Sequence, residues 1–217
     1  MRKIRVLVSF LISIIPGNFL RIALYRFLMQ YDISFSSKIG FLTIIAVDNV
    51  VIKNATIKEF NRFIGPYTLE VDKGTIIGRN NEFHCGTWVE KNLQISKQYL
   101  RKCNIGENCF ITSFHFIDTA GGFELKQNSL IGGRQSQFWT HGTSENDPSV
   151  VIGENCYIAS AVRFAPGSGT GNNCIVGIGS IVTQRFQNNN ALIAGSPAHI
   201  IKENYHWRKE WYWERKD

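Results

Sequence analysis

Acidic residues are missing from the first 31 positions, where Arg2, Lys3, Arg5, Arg21 and Arg26 stand before Asp32 without a counter-charge. Most of the excess behind the formal net charge of +7 is therefore a basic N-terminal arm. Its cations alternate with Leu, Ile and Phe, which suits an anionic membrane surface better than a nucleic-acid backbone. An apolar run of membrane length is also lacking. Residues 6–15 stop at Pro16-Gly17, and a spanning helix takes about 20 residues. No small-x-small cleavage site follows this run, so a secretory leader is not expected. Cysteine is scarce and odd in number, at positions 85, 103, 109, 156 and 174. That excludes a fully paired disulfide framework and points to small core residues in a reducing cytosol. The expected location is cytoplasmic, with the N-terminal arm placed to touch the inner face of the cell membrane.

What the chain does have is length and repetition. Its 217 residues, 44% of them apolar, suffice for one domain with a sizeable core. From Ile152 a period of six appears: Ile152, Ile158, Phe164, Thr170, Val176 and Val182, with Gly or Ala after five of these six. Small or β-branched residues follow five of these leads by four, at Cys156, Val162, Ser168, Cys174 and Ser180. A short strand of a parallel β-coil buries one side chain and then turns within a few residues, where a small residue fits the corner. Stacking such coils makes a continuous core.

Upstream blocks follow the same rule: Ile39-Gly40, Ile45, Val51 and Ile57; Ile64-Gly65-Pro66 after a slip; Ile77-Gly78, Phe83, Val89 and Ile95; Ile105-Gly106, Ile111 and Ile117; Leu125, Ile131-Gly132 and Gln137. Coils are thus expected over residues 33–200, interrupted near 96–103 and 142–150. A basic apolar helical segment is expected over 1–32 and an aromatic helical tail over 201–217.

Three segments carry a more specific likeness: Phe138-Trp139-Thr140-His141-Gly142, Val151-Ile152-Gly153-Glu154-Asn155-Cys156-Tyr157-Ile158, and Ala194 through Lys202. In order and spacing they resemble the hexapeptide-repeat acyltransferases, in particular the maltose and galactoside O-acetyltransferase branch with the polysaccharide and lipopolysaccharide O-acetyltransferases. The resemblance implies an all-β fold, a left-handed parallel β-helix with short helical ends. It also implies a homotrimer with its active sites between subunits, acetyl-CoA as acyl donor and a saccharide hydroxyl as acceptor. No metal and no nucleic acid are expected.

Acyl transfer to an alcohol needs a base, because a hydroxyl is a poor nucleophile until its proton is being removed. His141 follows a hexad, precedes the second interruption, and stands where the family keeps its catalytic histidine. The alternative is a histidine at the small inward position four after Gln137, satisfied by backbone. Asp118, one coil earlier, is placed to orient the imidazole or to cap a corner. Trp139, Gln137 and Arg134 flank the region and suit a sugar; Trp139 suits covering the coil edge equally well. For the coenzyme the resemblance points to Ala159, Ser160, Gly177, Ile178, Thr183 and Lys202, with His199 nearby. Gln184 departs from the lysine often found there, and Ile178 replaces a smaller residue. His84 and His115 are flanked by Cys85 and Phe116 within hexads, precede no interruption and read as structural.

No nucleophile elbow is present, so direct attack by the acceptor is expected rather than an acyl-enzyme. Two other readings remain: a γ-type carbonic anhydrase, which needs three convergent histidines on zinc, and a non-catalytic trimeric scaffold. The arm suits either capping the coil or lying on a membrane. The tail, with Tyr205, Trp207, Trp211, Tyr212 and Trp213 among Arg208, Lys209 and Arg215, suits packing or headgroup contact, and its nearly balanced charge favours packing.

Overall fold

The computed structural model describes residues 2–91, 99–142 and 147–210. Features expected at Ile95, at 96–98 and 143–146 of the interruptions, and at Trp211, Tyr212, Trp213 and Arg215 lie outside them. Two helices, α1 (Arg2–Ser13) and α2 (Asn18–Met29), precede a coil of short strands that runs from Asp32–Ile33 to Ala198–Lys202.

Among the described residues the strands fall into three sheets of 6, 9 and 7 members, and from Asp32 to Phe164 successive strands visit the sheets in turn, after which the first face continues only as the bridges Val151–Gly169–Arg185. Pairing is parallel throughout, except for the closing hairpin Leu192–Gly195 with Ala198–Lys202. A chain that passes from face to face and returns beside its own earlier strand is a three-sided coil. Each strand is too short to hold an interior on its own, so stability comes from stacking neighbours.

Register fixes what is stacked. On the first face Ile33, Ile52, Val71, Ile105, Leu125 and Ile152 lie above one another. On the second, Ile39, Ile57, Ile77, Ile111, Ile131, Ile158, Val176 and Ile193 do the same. The third face stacks Ile45, Phe63, Phe83, Ile117, Phe138, Phe164 and Val182. All are at most 1% exposed, and burying each such side chain stabilises by roughly 1.5–3 kcal/mol. Phe63–Phe83 and Phe138–Phe164 are parallel ring pairs with centroids 4.5 and 5.0 Å apart.

Three hexad leads differ from the sequence expectation. Ile52 rather than Val51, Phe63 rather than Ile64, and Phe138 rather than Gln137 point inward. In each case the neighbouring residue faces out, as strand alternation requires. Seven residues, not six, separate Ile131 from Phe138. Val89, taken as a lead, lies in a 3-10 turn (Thr87–Glu90) outside the coil, although it is buried.

The glycines after the leads also act differently from expected. They do not make the corners: a Cβ at Gly78 or Gly153 would come within 2.2 Å of the carbonyl oxygen of Thr112 or 2.1 Å of that of Gly171, in the next coil. They permit close approach between coils. The corners between the first and second faces are turned by left-handed residues, chiefly asparagines: Asn54, Asn108, Asn128, Asn155, Asn173 and Asn190 all have φ between 43° and 58°. Asparagine is among the few L-residues that tolerate this region. The five cysteines are buried and free.

The open first coil is closed by α1 and α2 through polar side chains. Arg21 donates to the carbonyl of Ile39 (2.8 Å) and Tyr25 to that of Thr43 (3.0 Å), while Ser9 Oγ accepts the Ile45 N–H (2.7 Å). Arg5 reaches the Val47 carbonyl, and Arg2 pairs with Asp48 and Glu90. These arginines, read from the sequence as a charged face for headgroups, mostly turn inward, because the end of a coil offers carbonyl groups that need donors. At the other end the helical turn Trp207–Glu210 packs on the coil, with Trp207 Nε1 donating to Asn155 O (3.0 Å) and Arg208 to Asn128 O (2.7 Å).

Phe138→Ala leaves a void between Phe123 and Phe164 and is expected to cost about 3–5 kcal/mol. Chemical denaturation will show a lowered midpoint; an unchanged midpoint would deny the phenylalanine stack its role.

Candidate active site

The chain leaves the coil twice at the same face. It departs after the strand Glu82–His84 and returns at Lys102–Ile105; it departs again after Gln137–Phe138 and returns at Val150–Ile152. His84 therefore does precede an interruption, contrary to the sequence reading. Between these two strands, and paired with both, lies Phe116–Asp118. Asp118 thus ends a strand flanked by both departures.

The seven-residue interval decides the direction of His141. With Phe138 inward, alternation sends Trp139 out, Thr140 in and His141 out; Thr140 is 0% exposed and the His141 side chain 41%. The alternative of an inward histidine held by backbone is thereby corrected: Thr140 takes that place.

Asp118 is 3% exposed, and a carboxylate so enclosed needs partners. Its Oδ1 accepts the Ala120 N–H at 3.2 Å. Its Oδ2 accepts the Thr140 N–H and the Thr140 hydroxyl, both at 2.8 Å, and meets His141 Nδ1 at 2.7 Å. With the carboxylate ionised, His141 Nδ1–H is the donor, and the neutral imidazole keeps its Nε2 lone pair free. Asp118 therefore fills both of its expected roles, capping the turn through Oδ1 and orienting the imidazole through Oδ2. Trp88, from the 3-10 turn of the first excursion, comes within 5.4 Å of the His141 ring and packs edge-on against Tyr99. Neither Thr140 nor Trp88 is visible as a site residue in the sequence: the first looks like filler in a repeat, and the second is 53 residues away with no periodic link.

Trp139 lies 4.8 Å from Phe116 and 6.1 Å from His141, centroid to centroid, and its Nε1 donates to Gln137 Oε1 at 3.4 Å. Phe116 and Gln137 belong to the outward column Glu82–Phe116–Gln137–Arg163, beneath a groove of about 550 Å³. An aromatic shelf therefore runs from this groove to the imidazole. Arg134 stands apart at the preceding corner, its guanidinium 4.9 Å from the Phe114 ring centre.

The residues expected to hold the donor form two groups beside the third face. Ala159 and Gly177 occupy equivalent places just after the buried Ile158 and Val176, followed by Ser160 and the 75% exposed Ile178. Thr183 follows Val182 on the far side of that face, in line with Ala165, whose N–H bonds the Val182 carbonyl. Lys202 is on the closing hairpin opposite Leu192, its ammonium 5.3 Å from the Tyr205 ring centre.

His115 is engaged otherwise. Its Nδ1 accepts the Ser136 N–H (3.1 Å), so Nε2–H donates to Thr112 Oγ1 (2.9 Å). Both nitrogens are in use, and burial lowers its pKa from 6.5 to about 4. Among the described residues no group of three His, Cys, Asp or Glu side chains is arranged to hold a metal ion.

No protein-family profile matches the chain. Among curated proteins, 63 residues are 40% identical to a protein of Escherichia coli (strain K12) named as a lipopolysaccharide biosynthesis O-acetyl transferase, WbbJ, over 29% of this chain and 32% of that protein. A stretch of 65 residues is 37% identical to the galactoside O-acetyltransferase of the same strain, over 30% of this chain and 32% of the relative. The chain thus matches about a third of the length of these relatives. Among solved structures, LpxA from Acinetobacter baumannii aligns with a TM-score of 0.53 and 16% identity, covering 83% of this chain and 74% of that one. The coil is a left-handed β-helix. A maltose O-acetyltransferase from Clostridium difficile 630 aligns at 18% identity and a TM-score of 0.49 over 93% and 85% of the two chains. The β-helix and these relatives bear out the resemblance to hexapeptide-repeat acyltransferases.

The lowered pKa of His115 has a sign that can be checked. An unfolded chain takes up the proton near 6.5 and the folded β-helix only near 4. This contribution to stability is therefore complete above pH 6.5 and lost as pH falls toward 4, by about 3 kcal/mol. An NMR titration should find the His115 midpoint near 4; a midpoint above 6 would contradict the enclosed, backbone-held ring.

Proposed function

We propose that the protein is an O-acetyltransferase that moves an acetyl group from acetyl-CoA to a hydroxyl of a saccharide, such as a surface polysaccharide or lipid-linked sugar. The observation that carries this reading is the His141–Asp118 pair. It presents an imidazole oriented through Nδ1, with Nε2 unpartnered among the described residues, at the edge of an aromatic shelf. The O-acetyltransferase names of the curated relatives support the acceptor class.

His141 Nε2 takes the proton of the acceptor hydroxyl as its oxygen bonds to the thioester carbonyl carbon. The carbon–sulfur bond breaks, and the imidazolium returns the proton to the departing thiolate. Asp118 stabilises the imidazolium and holds the ring in its productive tautomer. Trp139 and Phe116 offer ring faces to the apolar side of a sugar, with Gln137 and Arg163 as polar partners on the same face. Acetyl-CoA supplies the activated acyl group; Ala159, Ser160, Gly177, Ile178 and Thr183 flank its path, and Lys202 supplies a cation for its phosphates. A homotrimer completes the reading, with the site at the seam between copies.

Release of free thiol from acetyl-CoA, followed across a saccharide panel with mass analysis of products, tests the proposal. An acetylated sugar and no burst of thiol without acceptor are expected. His141→Ala should lower kcat by about 10²–10⁴-fold and Asp118→Asn by about 10²-fold or more, each with some loss of stability because the buried cluster loses a partner. Full turnover by His141→Ala would refute the base assignment. No transfer to any acceptor, with cellular glycans unchanged in the variant, would leave a scaffold.

A further inference from the structure

The two N-terminal helices are amphipathic in the reverse of the usual sense. Their buried sides carry Ser9, Ser13, Arg21 and Tyr25, which close the first coil, together with Ile12, Ile22 and Met29. Their outer sides are apolar. On α1, Ile4, Leu7 and Leu11, with Ile14 just after its end, follow one another at helical spacing and are 40–65% exposed. On α2, Phe19, Leu20, Phe27 and Leu28 are 53–81% exposed. The patch continues onto the coil through Phe35, whose ring stacks on Phe19 at 5.1 Å. Between the helices runs an apolar groove lined by Ile4, Val8, Leu28 and Met29 with Arg5. An apolar surface of this extent on a folded domain marks an interaction site.

Charge selects the occupant. Residues 2–40 hold six cations and one acid, but Arg2, Arg5 and Arg21 are engaged by the coil and its acids, so the outward charge is that of the other three. Lys3 and Lys38 are exposed, and Arg26, paired with Asp32, is 40% exposed. A second copy docked on this face would set like charges against each other, whereas an anionic lipid surface complements them. Each helix is about 18 Å long, against a hydrocarbon core of about 30 Å, and no described helix is long and apolar enough to cross a membrane. Helices of this size lie in the interface rather than span it.

We propose that the outer face of α1–α2 seats the protein on an anionic bilayer. The Leu, Ile and Phe side chains enter the surface, Lys3, Arg26 and Lys38 meet headgroups, and the coil stands away from the membrane. This stands independently of the acyl-transfer reading, since it needs neither His141 nor a donor.

Flotation of the full chain with vesicles of phosphatidylglycerol and phosphatidylethanolamine tests the proposal. The protein should float with them and bind neutral phosphatidylcholine vesicles at least 10-fold more weakly at low salt. Leu7→Glu, Leu11→Glu and Phe27→Glu together should abolish flotation while leaving the melting temperature within a few degrees, because all three are exposed. A second measurement does not depend on that variant. Leu11→Cys introduces an exposed thiol among described cysteines that are all buried; an environment-sensitive dye on it should shift to the blue on adding anionic vesicles. Wild-type protein left in the dense fraction, a folded triple variant that still floats, an unshifted dye, or a face-to-face assembly of copies lost in the triple variant would each overturn the proposal.

Discussion

One extra residue between Ile131 and Phe138 sets the geometry on which the site depends. A six-residue step would have put Gln137 over Ile117 and turned residues 139 and 141 toward the core by strand alternation. The seven-residue step puts Phe138 there instead, between Phe123 and Phe164, and its burial anchors the choice. Thr140 then enters the interior beside Asp118, while His141 emerges at the edge where the chain departs from the coil. The apolar stack and the acid–imidazole pair are thus two consequences of one register, and neither can shift without the other.

The price of this arrangement is a buried carboxylate. Asp118 is tolerable because four donors converge on its two oxygens, two of them from Thr140. Removing a partner from such a cluster is costly, since it leaves a charge unsatisfied. Thr140 therefore acts on the pair from below, fixing the carboxylate that fixes the ring. Trp88 confines the ring from the other excursion. The same need to satisfy polar groups governs the N-terminal cap, where side chains rather than strands answer the open carbonyls of the first coil. That demand turns polar residues of α1 and α2 inward beside Ile12, Ile22 and Met29 and leaves many of their other apolar residues outside.

The period of six was legible because each lead must fill a shared interior, so an apolar residue recurs wherever a coil returns to the same face. Phase was harder to read where two apolar residues adjoin: Val51 with Ile52 and Phe63 with Ile64 satisfy the hydropathy rule in either frame. At 137–138 the polar Gln137 beside Phe138 was the available clue, and it points to the frame the structure adopts. His141 and Asp118 were found through motif and position, but their direct contact depends on the slip. The corner role of asparagine was missed because a small residue near each corner suggested glycine, whereas the glycines answer to the neighbouring coil's backbone. The inward arginines were missed because sequence hydropathy reports sidedness without saying which side meets protein.

The most direct measurement is the tautomer of His141 by long-range proton–nitrogen NMR correlation on the neutral imidazole. Nδ1 should carry the proton and Nε2 the lone pair in the wild-type protein, with that preference lost in Asp118→Asn. Finding the proton on Nε2 in the wild type would contradict the account, because the ring would then face Asp118 with the wrong nitrogen and have no free base to offer a hydroxyl.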